Sequence, residues 1–282
     1  MSADDQDFDP ATVPVRPAAT VMLVDDIPVE GVHRLHVLML ARTTRMVFGP
    51  GHWVFPGGRV DPTDHLDDFD RICRGLTDEE ASAMLEVDKG GLAWWLAACR
   101  ETLEEAGLLL AAGDRPDLDL VAMRNRVRED EDAFIDLLLE HDIALRMDGI
   151  VEVARFITPM GSPRRFDARF FLSRAPHDQV AEHDDAEIVD LEWVEPSVAL
   201  ERWRDGTMTM MSPTVRMLAC LARFPTAGEA LGLGAERRPY ARVRVADPHG
   251  RYDVLLPGEP GYETADLEVE SGWIRLWPDP AG

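Results

Sequence analysis

The first part of the chain alternates apolar and polar residues in the manner of strands. Two apolar runs rich in β-branched residues, AATVMLVDD and HRLHVLMLAR, flank a stretch that contains Pro28 and Gly31, so we expect two strands joined by a turn. The next stretch, GPGHWVFPGGRVDPTD, places glycine and proline around a short expected strand, residues 52–55. Later strands are expected in GIVEVARFITP, RRFDARFFLSRAP and AEIVDLEWVE.

Helical periodicity is strongest in GGLAWWLAACRETLEEAG, which ends at Gly107, where a left-handed backbone is favoured. Thr77 and Glu80 form a capping box, which predicts a short helix in TDEEASAML. Further helices are expected in DLVAMRNRVREDEDAFIDLLLEHDIAL (one or two), PSVALERWRDG and SPTVRMLACLARF.

The character of the sequence changes after Phe224. The stretch PTAGEALGLGAERRP has the composition of a linker, and two hairpins are expected after it, through DPHG and SG. We therefore divide the chain into a flexible acidic arm (1–17), a main domain (18–224) and a C-terminal β-rich extension (225–282). Strands and helices mix without the regular alternation of a doubly wound sheet, which predicts the α+β class.

Charge and composition limit the classes of partner. The chain has 282 residues, 45% of them hydrophobic, and a formal net charge of −24, so its surface repels nucleic acid and anionic membranes. No apolar run approaches the roughly 20 residues that span a bilayer. Three scattered cysteines, Cys73, Cys99 and Cys220, do not form a disulfide framework or a zinc motif. The same net charge repels anionic small molecules unless a local cationic pocket or a metal ion offsets it. We expect a soluble, cytoplasmic protein.

The end of the strongest helix carries an unusual concentration of acid. Glu101, Glu104 and Glu105 fall at i, i+3 and i+4, so three like charges share one face in the last two turns. Each charge there opposes the helix dipole by about 0.3–1 kcal/mol. A solvated helix face is the ordinary explanation of such a run. The alternative is a face that binds a divalent cation, because Mg²⁺ prefers carboxylate oxygens.

A glycine pair lies upstream of this helix. Gly57 and Gly58 could form an ordinary turn after the short strand, or could let the backbone approach the helix and direct a carbonyl at a metal ion. The combination of this pair with RETLEEAG favours the second interpretation.

Together these segments resemble the Nudix box, G-x5-E-x7-R-E-U-x-E-E-x-G-U, where U is aliphatic. The second half is matched by Arg100, Glu101, Glu104, Glu105, Gly107 and Leu108, with Thr102 at an aliphatic position. The first half is matched at Gly57 and Gly58, and Asp64 stands in place of the first glutamate. Between Asp64 and Arg100 lie 35 residues instead of seven, which indicates an insertion at 65–92 and leaves the role of Asp64 open.

The resemblance covers residues 18–222 and implies a Nudix α/β/α sandwich with a mixed sheet, an inserted helical segment and a C-terminal β extension. It implies a hydrolase that uses Mg²⁺ or Mn²⁺ to cleave a nucleoside diphosphate linked to another moiety. Three features are similar to the peroxisomal coenzyme A diphosphatases and their bacterial relatives: the split box, the segment GGRVDPTD and the segment ITPMGSPRRFDARFFLS. The favoured substrate is therefore coenzyme A or acyl-coenzyme A. The alternatives are hydrolysis of NADH or ADP-ribose, and a non-catalytic nucleotide-binding module.

The same resemblance implies roles for individual residues. Glu101 and Glu105 are the first metal ligands, followed by Glu104 and the carbonyl of Gly57. Glu101 is the leading general base, with Glu104 as another candidate. Arg100 either holds the carboxylates in place or contacts phosphate.

Two further segments carry candidate residues. The acidic stretch with Glu182, Asp184, Asp185 and Glu187 either supplies a second catalytic acid, best matched by Glu187, or is a solvated loop. Strand alternation is expected to place Phe166 and Phe170 in the core and to leave the arginines beside them free for a cleft or for solvent. These arginines either bind substrate phosphate or balance nearby acids; they are Arg164, Arg165 and Arg169. The insertion could form a lid or a homodimer contact.

Overall fold

A computed structural model describes residues 12–44, 49–113, 115, 117–130, 132–183, 186–236, 238–246, 252–265 and 271–277. Its strands are β1 (Val15–Val29), β2 (Val32–Arg42), β3 (Trp53–Val54), β4 (Gly57–Arg59), β5 (Cys73–Arg74), β6 (Leu145–Arg146), β7 (Ile150–Ile157), β8 (Arg165–Arg174), β9 (Ile188–Val194), β10 (Ala241–Arg242), β11 (Arg244–Ala246), β12 (Asp253–Leu255) and β13 (Gly272–Ile274). Its α-helices are α1 (Asp78–Leu85), α2 (Leu92–Ala106), α3 (Leu120–Glu129), α4 (Ala133–Glu140), α5 (Pro196–Arg204), α6 (Ser212–Leu221) and α7 (Ala227–Ala235).

The main sheet is mixed, as predicted. Among the described residues it contains nine strands in the order β10-β13-β7-β8-β1-β2-β3, with β4 paired to β1 and β9 paired to β2. β1 and β8 run parallel, and the other described pairs of this sheet are antiparallel. β1 already begins at Val15, so the end of the predicted arm belongs to the sheet.

Helices cover both faces of this sheet. Val21 and Leu23 of β1 lie in the core that contains α2, α3 and α4, whereas Met22 and Val24 lie in the core that contains α5, α6 and α7. Successive side chains of a strand point to opposite faces, so one apolar strand serves two cores. The expected α/β/α sandwich is confirmed.

The sheet divides where β1 and β2 separate. The two strands pair from their shared turn as far as Val24 and Val37. Beyond that point β3 pairs with Leu40 and Ala41 of β2, while β4 pairs with β1 at residues 18–20. The glycine pair in β4 is thereby brought into the sheet beneath α2.

The inserted segment caps the helix that it precedes. Gly91 at the start of α2 has no side chain to cap the free N–H groups of the first turn. Asp78 of α1 accepts hydrogen bonds from the N–H groups of Gly90 (2.9 Å) and Leu92 (3.0 Å). Ser82 Oγ accepts from Gly91 N–H at 2.9 Å. The insertion is therefore a structural support of α2, a role that the sequence did not predict.

The C-terminal extension corrects two predictions. The expected linker contains α7, whose first turn is capped by the Thr226 hydroxyl. Its small residues allow a close approach to the sheet, since a Cβ on Gly234 would lie 3.1 Å from Val153 Cγ1. β13 pairs on one edge with β10 and on the other with β7, so it extends the main sheet. Both edges of β13 are thus occupied by strands other than the one predicted for a second hairpin through SG, and the first half of that predicted hairpin, residues 266–270, lies outside the described residues.

Other expectations for the fold are confirmed. β11 and β12 pair as the first C-terminal hairpin, whose turn at 247–250 lies outside the described residues. The capping box of α1 is formed, and DLVAMRNRVREDEDAFIDLLLEHDIAL contains two helices, α3 and α4. All three cysteines are free and buried. No helix in the described part of the chain is long and apolar enough to cross a membrane.

Candidate active site

The acidic end of α2 closes with the geometry expected from its glycine. Gly107 has a φ of 68°, and its N–H donates to the carbonyl of Leu103 at 3.0 Å. Thr102, at the aliphatic position of the sequence pattern, is fully buried, and its hydroxyl donates to the carbonyl of Ala98 at 2.8 Å. The hydroxyl is satisfied inside its own helix, so a threonine is tolerated there.

Arg100 is the centre of the polar cluster on α2 and is 2% exposed. Its guanidinium donates to Asp64 Oδ1 (3.0 Å) and Oδ2 (2.8 Å), Glu101 Oε1 (3.0 Å), Glu104 Oε1 (3.0 Å), Asp61 Oδ2 (3.2 Å) and the carbonyl of Arg59 (3.1 Å). These contacts engage all three nitrogen atoms of the guanidinium group. Arg100 therefore orients the carboxylates.

Asp64, whose role the sequence left open, is the bidentate partner of Arg100. It is 1% exposed and ends the short 3₁₀ helix Pro62–Asp64. Its Oδ2 also accepts from the N–H of Asp61 at 2.8 Å, which fixes the carboxylate in the loop. The inserted residues leave this loop beside α2, so the 35-residue separation in sequence does not separate the two groups in space.

The glycine pair packs directly against the acidic face. The N–H of Gly57 donates to Glu105 Oε2 at 2.9 Å, and Arg42 Nη2 lies 3.8 Å from Glu105 Oε1. A Cβ on Gly58 would overlap the carboxylate of Glu101, so only glycine leaves room for that side chain. Gly57 itself has a φ of 152°, and a Cβ there would overlap the backbone of Ala19 in β1.

Burial and neighbouring charges have opposing effects on the pKa values of the cluster. Burial opposes the charge of Arg100, but the hydrogen bonds to Asp64 and the charges of Glu101, Asp64 and Glu104 raise its pKa above the usual range. Burial is the largest cause that raises the pKa of Glu101, and the negative charges of Glu105 and Glu104 raise it further against the lowering effect of Arg100. Burial and the neighbouring acids therefore outweigh Arg100 in setting the pKa of Glu101.

The donor atoms of this cluster suit a hard divalent cation. Carboxylate oxygens are ligands that Mg²⁺ and Mn²⁺ prefer, and Glu101, Glu104 and Glu105 lie close enough for the charges of the other two to raise the pKa of Glu101 beyond the effect of its burial. Within the described residues, no three acidic, histidine or cysteine side chains are already gathered as a metal cluster. Instead, Arg100 holds Glu101 and Glu104, and the N–H of Gly57 holds Glu105. The donor set fits such an ion in its chemistry.

Arg124 of α3 supports the end of α2 and was not identified from the sequence. It is 7% exposed and donates to the carbonyls of Glu104 (2.8 Å), Glu105 (3.2 Å) and His183 (3.2 Å). A cation at a helix C-terminus interacts favourably with the helix dipole. Only the position of Arg124 in an amphipathic helix was visible in sequence, since its partners lie 19 residues or more away.

The three candidate substrate-binding arginines have different surroundings. Arg164 is exposed, and Arg165 Nε donates to the carbonyl of Thr158 at 3.0 Å. Arg169 is 4% exposed and donates to Glu152 Oε1 (2.9 Å) and to the carbonyl of Leu85 (2.9 Å). The expectation that strand alternation leaves this arginine free for a cleft or for solvent is therefore wrong, because Glu152 pairs with it inside the protein. Phe170 is buried as expected, and Phe166 is half-buried.

The candidate second acid lies beside the end of β2. Glu187 is exposed, and its carbonyl accepts from the N–H of Thr43 at 2.9 Å. Glu182 is exposed, and its N–H donates to the carbonyl of Ala106 at 2.9 Å, which joins this loop to the end of α2. Asp184 and Asp185 lie outside the described residues.

Comparison with known proteins places this architecture among characterised relatives. Residues 76–221, just over half of the chain, match the model of the NUDT19 Nudix domain. Acyl-coenzyme A diphosphatase NUDT19 from Gallus gallus is 27% identical over 304 residues, which cover 88% of this chain and 79% of that protein. The Homo sapiens protein of the same name is 28% identical over 253 residues, which cover 76% of this chain and 64% of that protein. A Nudix hydrolase structure from Alicyclobacillus acidocaldarius is 29% identical, with a TM-score of 0.67, and the match covers 78% of this chain and 97% of that one.

Proposed function

This chain belongs to the NUDT19 Nudix domain family, and from that premise we propose that it hydrolyses the diphosphate bridge of coenzyme A or an acyl-coenzyme A. The names of the Gallus gallus and Homo sapiens relatives support this substrate class over NADH or ADP-ribose. A cytoplasmic location and a homodimer stay predictions from the sequence.

The observation that carries the proposal is the buried arrangement of one arginine and its acids. Arg100 contacts Asp64, Glu101 and Glu104 at 2.8–3.0 Å, while Glu105 is held by the backbone of the glycine pair. The arrangement keeps several carboxylates together in a site largely removed from water. A purely structural cluster would gain more from equal numbers of opposite charges.

Glu101, Glu104, Glu105 and the carbonyl of Gly57 would hold the divalent cation. When bound, Mg²⁺ or Mn²⁺ supplies neutralisation of phosphate charge and acidifies water. Asp64 and Arg100 act through the other acids: their bidentate pair fixes the rotamer of Arg100, which in turn fixes Glu101 and Glu104. Such support keeps functional groups in place before the substrate binds.

In the reaction, water attacks one phosphorus of the bridge, the bond from that phosphorus to the bridging oxygen breaks, and the other phosphate leaves. We assign the proton of the attacking water first to Glu101, whose carboxylate Arg100 holds in place at 3.0 Å. Glu104 and Glu187 are the further candidates for this proton transfer. The products from coenzyme A are 3′,5′-ADP and 4′-phosphopantetheine.

Recognition of the substrate phosphates is assigned first to Arg164 and Arg165. Both lie at the start of β8 or just before it, and Arg164 is exposed. Arg169 is a weaker candidate, since reaching substrate would require it to leave Glu152 and the carbonyl of Leu85.

A substrate panel tests the proposal. Coenzyme A, an acyl-coenzyme A, NADH and ADP-ribose are each incubated with Mg²⁺ or Mn²⁺, and the products are identified by mass. Release of 3′,5′-ADP from the coenzyme A substrates at the highest kcat/KM is expected. Faster cleavage of NADH or ADP-ribose would replace the substrate assignment, and nucleotide binding without cleavage would favour a non-catalytic module.

A matched pair of variants connects turnover to the site. Glu105→Gln keeps an oxygen that can accept from Gly57 N–H but removes the negative charge, so metal-dependent turnover should be lost while the fold is kept. Glu201→Gln makes the same change on the exposed side of α5 and should behave as wild type. Turnover of Glu105→Gln within twofold of wild type would contradict the assignment.

A further inference from the structure

A cleft of about 700 Å³ lies beside the end of α2. Gly107 and Glu182 line one end of it, next to the last turn of the acidic helix. Its walls come from residues 107–113, 115 and 118–124 on one side and from residues 174–182 on the other. The volume is within the usual range of small-molecule sites, about 300–1,000 Å³.

Both walls of the cleft carry apolar side chains, and the walls are fixed to each other. Leu109, Leu118 and Val121 come from one segment, and Ala175 and Val180 come from the other. Val121 is 60% exposed and Val180 is 78% exposed, so apolar side chains face solvent in a strongly acidic protein.

The side chain of Gln179 joins the two walls of the cleft through a pair of hydrogen bonds like those between neighbouring strands. Gln179 Oε1 accepts from the N–H of Leu109 at 2.8 Å, and Gln179 Nε2 donates to the carbonyl of the same residue at 3.1 Å. These paired hydrogen bonds keep the two walls at a constant separation, so the cleft exists before any ligand enters.

The charges of the cleft argue against an anionic occupant. Its arginines are already engaged: Arg115 pairs with Asp117 at 2.8 Å, Arg174 contacts Asp25 at 3.0 Å, and Arg124 caps α2. The acids Asp119, Asp178 and Glu182 also line the cleft. His177 also lines the cleft, and its Nδ1 lies 3.9 Å from Asp25 Oδ2. Each arginine among the described lining residues is thus already bound, so a phosphate would have to compete with these contacts and would meet the acids, whereas an uncharged chain would meet the apolar parts of the walls.

We propose that this cleft binds the uncharged arm of the substrate, namely the pantetheine chain and the acyl group at its end. This inference rests on the proposed function, because that substrate joins a diphosphate to such an arm. The cleft begins one residue beyond the last residue of α2, so an arm leaving a diphosphate at Glu101 and Glu105 can extend into it. The cleft would then select acyl-coenzyme A over diphosphates that lack the arm.

The test replaces the two exposed valines, separately and together, by Val121→Asp and Val180→Asp. Both positions are exposed, so these variants should fold, and Val198→Asp on the exposed side of α5 serves as the matched control. Binding is measured by titration with octanoyl-pantetheine, which has the arm and no phosphate. Hydrolysis of octanoyl-coenzyme A is measured in parallel.

We expect wild type and Val198→Asp to bind octanoyl-pantetheine and the double variant to bind it at least tenfold more weakly. The double variant should also have a KM for octanoyl-coenzyme A raised at least tenfold, with kcat changed less than threefold. Failure of wild type to bind the probe, or equal affinity in the double variant, would overturn the inference even if coenzyme A is cleaved. Probe binding without any hydrolysis would instead overturn the proposed function.

Discussion

Asp64→Asn separates the role of the buried pair from the presence of a polar side chain. The substitution keeps the size of Asp64 and one acceptor oxygen, but removes the charge and one of two hydrogen bonds to Arg100. Both residues are at most 2% exposed, so solvent cannot replace the lost contact.

The expected loss of stability follows from the partners that remain. Breaking a buried ion pair costs about 3–5 kcal/mol when the remaining charge is left alone. Here Arg100 keeps Glu101 and Glu104 at 3.0 Å and Asp61 at 3.2 Å, so its charge stays balanced. We therefore expect a decrease of about 2–3 kcal/mol, which is the value of one or two charged hydrogen bonds. The corresponding decrease in Tm is roughly 4–12 °C for a chain of this size.

The assay is urea denaturation of the metal-free protein, followed by far-ultraviolet circular dichroism. Asp67→Asn is the matched control, because Asp67 is exposed in the same inserted region and should change stability by less than about 0.5 kcal/mol. If Asp64→Asn stays within about 0.5 kcal/mol of Asp67→Asn, Asp64 does not anchor Arg100 and the account of the split box is refuted.

Three further predictions concern the support of α2, the acidic cluster and the thiols. Asp78→Ala removes the carboxylate that accepts hydrogen bonds from the N–H groups of Gly90 and Leu92, so it should lower the free energy of unfolding by about 2 kcal/mol. The control Glu79→Ala, in the same turn, should lower it by less than about 0.5 kcal/mol. Equal effects of the two substitutions would contradict the capping role of Asp78. Burial, together with the charges of Glu105 and Glu104, raises the pKa of Glu101 in the folded protein. The folded state therefore binds a proton more tightly than the unfolded state does. The resulting stabilisation is complete below the unfolded pKa of about 4.3 and is lost as the pH rises through the folded pKa. Glu101→Gln should therefore have a higher Tm than wild type at pH 7.5 in EDTA, and a lower Tm would show that the charge is already balanced. Burial raises the pKa of all three cysteine thiols, two of them to about 12. Native protein at pH 8 should therefore not react with a disulfide reagent within minutes. A thiol that is labelled rapidly would contradict its assignment as buried.

Local signals in the sequence were sufficient to predict much of the fold. Thr77 and Glu80 predicted the start of α1, and Gly107 predicted the end of α2, because caps depend on residues three or four positions apart. The double core was also predictable, since the strands are apolar on both faces. The helix α7 was not, because AGEALGLGA contains three glycines and its stability comes from close packing on Val153.

Long-range pairing limited what the sequence could predict of the site. Residue types and spacing predicted the acidic face, but not that Asp64 would reach Arg100 across 35 residues. The burial of Arg169 depends on Glu152 in a neighbouring strand, and the capping of α2 depends on Arg124. Such contacts depend on the tertiary structure, and the strand and helix periodicities of two and 3.6 residues do not predict them.

The most direct test of the central claim is hydrolysis of coenzyme A in H₂¹⁸O, with the products resolved by mass. We expect 3′,5′-ADP and 4′-phosphopantetheine, with one ¹⁸O atom per turnover on a product phosphate, only when Mg²⁺ or Mn²⁺ is present and not with Glu105→Gln. Tight binding of coenzyme A by wild type without labelled products would contradict the account.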